Sequence, residues 1–174
     1  DRAQDNLVRI SEMAQRMGRI IQNQRAFARQ EDHPQDSVNV VEVLYSALEL
    51  TKTRIRHAQI DVTLGSFPKE VWVRGGEVRL GQVFVNLITN AADAMNGLDH
   101  KTLKIDMAGD EEVQVMFHDA GPGIEMPDKV FDPFYTTKQV GETGGKGLGL
   151  SISYGIVQRL GGQIKGRNQP QGGA

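Results

Sequence analysis

Two carboxamide side chains stand one helical turn apart in an otherwise apolar stretch of the sequence. Asn86 and Asn90 lie four residues apart, so they project from one face of the helix that the apolar period predicts over residues 77–95. Inside a helix, asparagine costs roughly 0.5 kcal/mol relative to alanine, so the pair requires a reason. A solvated polar face is one explanation. The other is that the amide oxygens converge on a polyphosphate or a hard cation such as Mg²⁺, which prefers oxygen ligands.

A second candidate element directly follows a predicted strand, where the sequence reads Asp-Ala-Gly-Pro-Gly-Ile over residues 119–124. The carboxylate of Asp119 can accept a hydrogen bond from an exocyclic amine. Gly121 and Gly123 allow the backbone to approach a flat ring closely. Alone this signal is weak, because turns that follow strands often contain Asp and Gly.

The third element is the glycine-rich segment 144–149, which leads into a predicted helix. Backbone N–H groups at a helix N-terminus carry partial positive charge and suit a phosphate chain. Lys138 and Lys146 supply cations for the same phosphates. The segment is neither a Walker A sequence nor a Rossmann turn.

The surrounding pattern predicts a mixed α/β domain that positions these elements. The predicted helices cover 41–57, 77–95 and 148–160, and the predicted strands cover 38–40, 60–64, 71–73, 101–108, 113–119 and 163–167. The strands over 101–108 and 113–119 should form a hairpin with Gly109 and Asp110 in its turn. Residues 121–149 have no sustained period, which is typical of a lid. Trp72 is predicted as a core or interface residue, and the acidic residues Asp106, Asp110, Glu111 and Glu112 as a solvated hairpin tip.

Residues 1–30 are predicted to form one helix with a wide apolar stripe that includes Leu7, Ile10, Met17 and Ile21. Such a helix either packs on its own domain or belongs to a dimeric bundle. We favour the bundle because no segment of similar pattern precedes it. Residues 31–37 are polar and contain Pro34, so they are predicted as a linker.

Composition narrows the function classes. The 174 residues carry a formal net charge of −2 and no cysteine. The charge gives no basic field for a nucleic-acid backbone. The lack of cysteine excludes disulfides and thiolate metal sites and suits a reducing cytoplasmic compartment. No apolar run approaches the roughly 18 residues of a membrane span, and no signal peptide opens the chain.

The order of these elements resembles the N, G1, F and G2 boxes of sensor histidine kinases. The matching residues are Asn86 and Asn90, then Asp119, Gly121 and Gly123, then Phe131-Asp132-Pro133-Phe134, then Gly145-Lys146-Gly147-Leu148-Gly149-Leu150. The resemblance covers roughly residues 38–174. The runs 79–95, 151–154 and 168–174 resemble the nitrogen- and C4-dicarboxylate-sensing subgroup.

The resemblance implies a Bergerat fold, a two-layer α/β sandwich of mixed sheet and three helices, preceded by one long dimerisation helix. It implies ATP and Mg²⁺ as cofactors, with Asn86 and Asn90 as catalytic and metal-binding residues. Asp119 would accept from the adenine amino group, and residues 125–146 would form the lid. The implied nucleotide-binding residues are Asp119, Gly121, Gly123, Ile124, Lys138, Lys146, Gly147, Leu148 and Gly149.

The residue at position 86 separates two activities within the resembling superfamily. Members that hydrolyse ATP carry a glutamate there, whereas Asn86 cannot act as a general base. This favours slow hydrolysis and transfer of the γ-phosphoryl group to a histidine, where catalysis is mostly positioning and charge neutralisation. The acceptor is expected in an H-E-x-x-x-P context, which His33, His57, His100 and His118 all lack, so the chain is predicted to be unable to autophosphorylate alone. Two alternatives stay open: an ATPase that drives conformational change, and a nucleotide-binding dimerisation module without turnover.

The same resemblance predicts the domain organisation and the partners. Residues 1–30 would be the second helix of a dimerisation hairpin whose first helix is absent, residues 31–37 a linker, and residues 38–174 an ATP-binding domain that lacks its last strand. The expected partners are a second copy through the N-terminal helix and a response regulator, with no nucleic acid. The full-length protein is expected in the bacterial inner membrane, anchored outside this cytoplasmic segment.

Overall fold

The structure is a computed structural model that describes residues 37–109, 111–133, 135, 148–170 and 172–174. The predicted helix over 1–30 and all of the linker except Ser37 lie outside these residues. The described elements, in chain order, are β1 (Ser37–Asn39), α1 (Val40–His57), β2 (Asp61–Leu64), β3 (Trp72–Arg74), α2 (Glu77–Ala94), β4 (Thr102–Ala108), β5 (Gln114–Asp119) and α3 (Gly149–Arg159).

The larger sheet is mixed and has the strand order β2–β4–β5. Strand β2 pairs with β4 in parallel, and β4 pairs with β5 in antiparallel register from Leu103 opposite Asp119 to Ala108 opposite Gln114. This confirms the predicted hairpin. Gly109 begins its turn with φ +132°, and a Cβ atom there would collide with the carbonyl of Glu112. Strands β1 and β3 form a separate antiparallel pair.

Helices cover one face of the larger sheet, which gives the two-layer α/β sandwich predicted from the sequence. Along β4 the buried residues Leu103, Ile105 and Met107 alternate with more exposed ones, as expected for a strand with one covered face. Phe84 of α2 meets Phe117 of β5 with 5.7 Å between ring centroids. The core therefore lies between the sheet and α2, the helix that carries the two asparagines.

Helix α1 starts at Val40, where the sequence suggested the end of a strand. The side chain of Asn39 accepts a hydrogen bond from the Val41 N–H at 3.2 Å, which caps the helix, and from the Val71 N–H at 3.4 Å. Helix α1 then packs against α2, and Arg54 forms an ion pair with Asp93.

Three expectations fail in whole or in part. Residues 163–167 form no strand, because no described strand pairs with them, although their exposure alternates. Trp72 is not a core residue: it is 54% exposed, since neighbouring Val71 takes the buried side of the chain, and its alternative placement at an interface stays a prediction. Asp106 is not at the hairpin tip, because it lies within β4 opposite Met116, and its carboxylate contacts Lys104 of the same strand and accepts from the Ser66 N–H. Glu111 and Glu112 are exposed, as predicted.

Candidate functional site

Helix α2 brings its two asparagines against the first turn of α3. A Cβ atom built on Gly149 would lie 3.8 Å from Nδ2 of Asn90 and 4.0 Å from Cγ of Asn86. The amide side chains and the end of the glycine-rich segment therefore meet at one place, as the sequence suggested. Within the described residues, Gly149 is the part of the glycine-rich segment that lies beside the asparagines. Gly147, Lys146 and Lys138 lie outside the described residues.

The amide nitrogen of Asn86 ties the two helices together. It donates to the Gly149 carbonyl at 3.3 Å and to Oγ of Ser153 at 3.2 Å, while Ser153 itself donates to the Gly149 carbonyl at 3.0 Å. Ser153 is fully buried. Because both contacts use the nitrogen of the Asn86 amide, its orientation is fixed, and only Oδ1 remains to serve a ligand.

Sequence reasoning missed Ser153 as a residue that supports the site. A signal was present, because a serine four residues after the start of a helix can bond back to the carbonyl of the first turn. That bond alone would not have revealed the contact with Asn86, which joins residues 67 positions apart.

Asp119 ends β5 and begins a turn that leans on α2. Its Oδ1 accepts a hydrogen bond from the Gly121 N–H at 2.8 Å. A Cβ atom on Gly121 would come within 3.1 Å of the Ala94 methyl group. The glycine at position 121 thus permits a close approach to the last turn of α2, one turn beyond Asn90.

The pKa of the Asp119 carboxyl is raised above its usual value. Burial is the main cause, because removal from water disfavours the charged form, and the hydrogen bond from Gly121 opposes it. A half-buried carboxyl with a raised pKa beside a glycine turn is a candidate ligand-binding group.

One helix aligns the candidate site. Asn86, Asn90 and Ala94 follow one another at four-residue intervals, and a helix rises about 6 Å over four residues. The row from the Asn86 amide to the Asp119 turn therefore spans about 12 Å. An elongated ligand could place an amine-bearing ring at Asp119 and an anionic group at the asparagines and α3.

The start of α3 has the character expected for the anionic end. Leu148 is the residue before the helix, and its side chain makes no capping hydrogen bond. The main-chain N–H groups of the first turn therefore have no side-chain acceptor among the described residues. The Phe131 ring lies 5.8 Å from that of Tyr154 on α3. The described part of the predicted F box thus packs on the same helix, while Phe134 is outside the described residues.

The donor set fits a magnesium ion held together with phosphates. The described residues contain no cluster of three or more His, Cys, Asp or Glu side chains that could hold a metal. Magnesium commonly retains several waters and takes few protein ligands beside substrate phosphates, and amide oxygens from α2 meet that requirement.

Within the described part of the chain, no helix is long and apolar enough to cross a membrane.

Residues 75–174 match the family described as histidine kinase-, DNA gyrase B-, and HSP90-like ATPase. The chain belongs to this family, so its fold is a nucleotide-binding one.

Relatives narrow the class to the ATPase domain of sensor histidine kinases. The chain is 32% identical over 176 residues to the C4-dicarboxylate transport sensor protein DctB of Pseudomonas aeruginosa. The match covers 99% of this chain and 28% of the relative. The chain thus spans just over a quarter of that relative's length. The solved catalytic domain of histidine kinase ThkA matches 79% of this chain and 91% of that one with 31% identity and a TM-score of 0.68. A structure of ThkA in complex with response regulator protein TrrA matches 94% of this chain and 47% of that one, with 25% identity and a TM-score of 0.71.

Proposed function

We propose that this chain binds Mg·ATP and, within its full-length protein, transfers the γ-phosphoryl group to a histidine that lies outside the chain. One observation carries the proposal: α2 presents Asn86 and Asn90 to the start of α3 and supports the Asp119 turn one helical turn further on. A hard-cation and phosphate end and a base end are thus aligned on a single rigid element. The membership in a family of ATPases supports the same nucleotide.

Each residue has a role in this proposal. The Asn90 amide oxygen holds Mg²⁺ at the phosphates, and Oδ1 of Asn86 assists. Asp119 accepts from the adenine amino group, while Gly121, Gly123 and Ile124 shape the base pocket. Gly147, Leu148 and Gly149 contribute main-chain N–H groups at the phosphates, and Lys138 and Lys146 contribute cationic side chains. The magnesium ion supplies neutralisation of phosphate charge during transfer.

The chemistry expected of this site is transfer rather than hydrolysis. Position 86 holds a neutral amide whose nitrogen is engaged by Gly149 and Ser153, so it cannot take a proton from water. Positioning and electrostatic stabilisation are then the main contributions that the protein makes to phosphoryl transfer.

The proposal extends to the whole protein. Residues 1–30 form the second helix of a dimerisation hairpin, residues 31–37 a linker, and residues 38–174 the ATP-binding domain. A second copy pairs through the N-terminal helix, and a response regulator receives the phosphoryl group. The ThkA–TrrA complex is the precedent for the regulator, and DctB is the precedent for a C4-dicarboxylate transport sensor. Anchoring of the full-length protein in a membrane, outside these residues, is part of the proposal.

A phosphotransfer assay tests the proposal. The chain is mixed with radiolabelled Mg·ATP and a complete dimerisation hairpin that carries its acceptor histidine, and label on the histidine is measured. We expect transfer by the wild-type chain and none by Asn90→Ala. Asn96→Ala is the matched control, because this exposed asparagine lies just beyond the end of α2 and its loss should leave the rate unchanged.

The outcomes distinguish the open alternatives. Unchanged transfer by Asn90→Ala contradicts the assigned role of Asn90. Steady release of inorganic phosphate without labelled histidine indicates an ATPase that drives conformational change. Binding of ATP with neither product indicates a nucleotide-binding module without turnover.

A further inference from the structure

Asn168 makes a two-pronged contact with the main chain of Ile124. Its Oδ1 accepts a hydrogen bond from the Ile124 N–H at 2.6 Å, and its Nδ2 donates to the Ile124 carbonyl at 2.8 Å. A neighbouring β-strand satisfies a residue in this same paired way. Here one side chain does so, and it comes from a segment that forms no strand.

The same segment also holds the other end of the turn. We call residues 168–170 and 172–174 the C-terminal strap. The Ala174 carbonyl accepts from the Asp119 N–H at 2.9 Å and from Nε2 of Gln169 at 3.1 Å. Gly173 has φ +85°, and a Cβ atom there would collide with the Asp119 carbonyl. The strap is therefore tied to the turn at Asp119 and again at Ile124.

The shape of the turn depends on this second tie. Gly123 has φ +87°, a conformation that residues other than glycine rarely adopt. A Cβ atom on Gly123 would lie 2.8 Å from Oδ1 of Asn168. The Asn168 carboxamide thus packs against the glycine whose conformation sets the direction of the chain between Asp119 and Ile124.

We propose that Asn168 is a positioning residue of the base pocket, which fixes the 119–124 turn against the strap so that Asp119 and the two glycines are held ready for the base. The inference rests on the proposed nucleotide function. It adds a residue that would touch no nucleotide and would act through Ile124 and Gly123. Preorganisation of this kind raises affinity because ordering of the turn is not required on binding.

The test compares nucleotide affinities of single variants of the full chain by titration calorimetry. Asn168→Ala removes both hydrogen bonds, and we expect the dissociation constant for Mg·ATP to rise about 10-fold. We also expect the preference for ATP over GTP to shrink, because a loosened turn no longer aims Asp119 at a 6-amino group. Asn168→Asp keeps the acceptor for the Ile124 N–H but sets a carboxylate oxygen against the Ile124 carbonyl, so its affinity should be no higher than that of Asn168→Ala.

Asn39→Ala is the matched control, because it also removes an asparagine side chain that makes two hydrogen bonds with the main chain, here by accepting from the N–H groups of Val41 and Val71. It should lower the thermal unfolding midpoint without changing the ATP-to-GTP preference. Asn168 is exposed, so its alanine variant should remain folded. Amide hydrogen exchange at Ile124, measured without nucleotide, should be faster in Asn168→Ala and unchanged in Asn39→Ala.

Two results overturn the positioning role. One is that the wild-type chain prefers ATP to GTP and Asn168→Ala shows the same affinity for Mg·ATP and the same preference. The other is an equal loss of affinity in Asn168→Ala and Asn39→Ala with the preference intact, which would indicate a general effect on stability. A wild-type chain that binds neither nucleotide contradicts the proposed function itself, and the inference falls with it.

Discussion

Two aspartates of the β4–β5 hairpin have opposite electrostatic surroundings. Asp106 lies on the outer face of the sheet, where Lys104 Nζ stands 3.0 Å from its carboxylate, His118 Nε2 3.7 Å, and the Ser66 N–H donates at 3.2 Å. The hydrogen bond from Lys104 lowers the pKa of Asp106. Asp119, at the end of β5, has a raised pKa because burial outweighs its main-chain donors.

The two aspartates show how a charge cluster that stabilises the fold differs from a carboxyl group that is available to a ligand. A His, a Lys and an Asp on adjacent strands resemble an acid–base constellation, yet the charge of Asp106 is already balanced within the fold. The Asp119 carboxylate is held by main-chain donors, makes no ion pair among the described residues, and is affected by the charge of the adjacent His118 less than by burial or by those donors. A carboxyl group whose charged form is disfavoured by burial is a candidate for ligand binding, because perturbed pKa values cluster at functional sites.

The largest effect expected from this comparison is on nucleotide binding. Asp119→Asn replaces an acceptor-only group by an amide that presents a donor to the adenine amine, so the affinity for Mg·ATP should fall by roughly 1–3 kcal/mol, the range for an imperfect buried polar contact. Asp106→Asn, made in the same way on the neighbouring strand, should leave the affinity unchanged. Titration calorimetry measures both. Equal affinities in wild type and Asp119→Asn would remove Asp119 from base recognition.

The affinity for Mg·ATP should also depend on pH. Of the two aspartates, Asp119 should cause this dependence and Asp106 should not. Its raised pKa means that the carboxylate takes up a proton at a pH above the ordinary value of 3.8. Below that folded-state pKa the adenine amine loses its charged acceptor, so affinity should fall as the pH is lowered. In Asp119→Asn this step should disappear, while in Asp106→Asn it should persist.

The positions of the helices and of the asparagine pair were predictable from sequence because they depend on local pattern. Helix α2 was predicted within one residue, since its apolar period and its asparagines are intrinsic to one segment. The β4–β5 hairpin was predicted equally well, because its alternation and its glycine turn are contiguous.

Contacts between distant segments were not predictable. Ser153 meets Asn86 across 67 positions, and Asn168 meets Ile124 across 44. A single sequence carries no mark of which polar side chain will find which main chain. Residues 163–167 were predicted as a strand from local pattern alone. Their alternating exposure indicates one covered face, but a strand also needs a partner strand. The groups that lie against Gly166 are instead the side chains of Ile124 and Val130.

The smallest expected effect is on stability, and its sign differs between the two aspartates. Folding lowers the pKa of Asp106, so its ion pairs stabilise the protein above pH 3.8 and that contribution is lost as the pH falls through the folded-state pKa. Folding raises the pKa of Asp119, so its contribution is fully present below pH 3.8 and is lost as the pH rises through its folded-state pKa.

At neutral pH, Asp106→Asn should therefore destabilise the nucleotide-free protein, by less than about 1 kcal/mol because its partner Lys104 is solvated. Asp119→Asn should stabilise it, since the buried charge is removed and Oδ1 can still accept from Gly121. Urea unfolding of both variants and wild type, from about pH 3 to pH 7, measures the differences. A destabilised Asp119→Asn at neutral pH would mean that the fold itself uses this carboxylate, and the contrast between a structural and a ligand-binding aspartate would then be wrong.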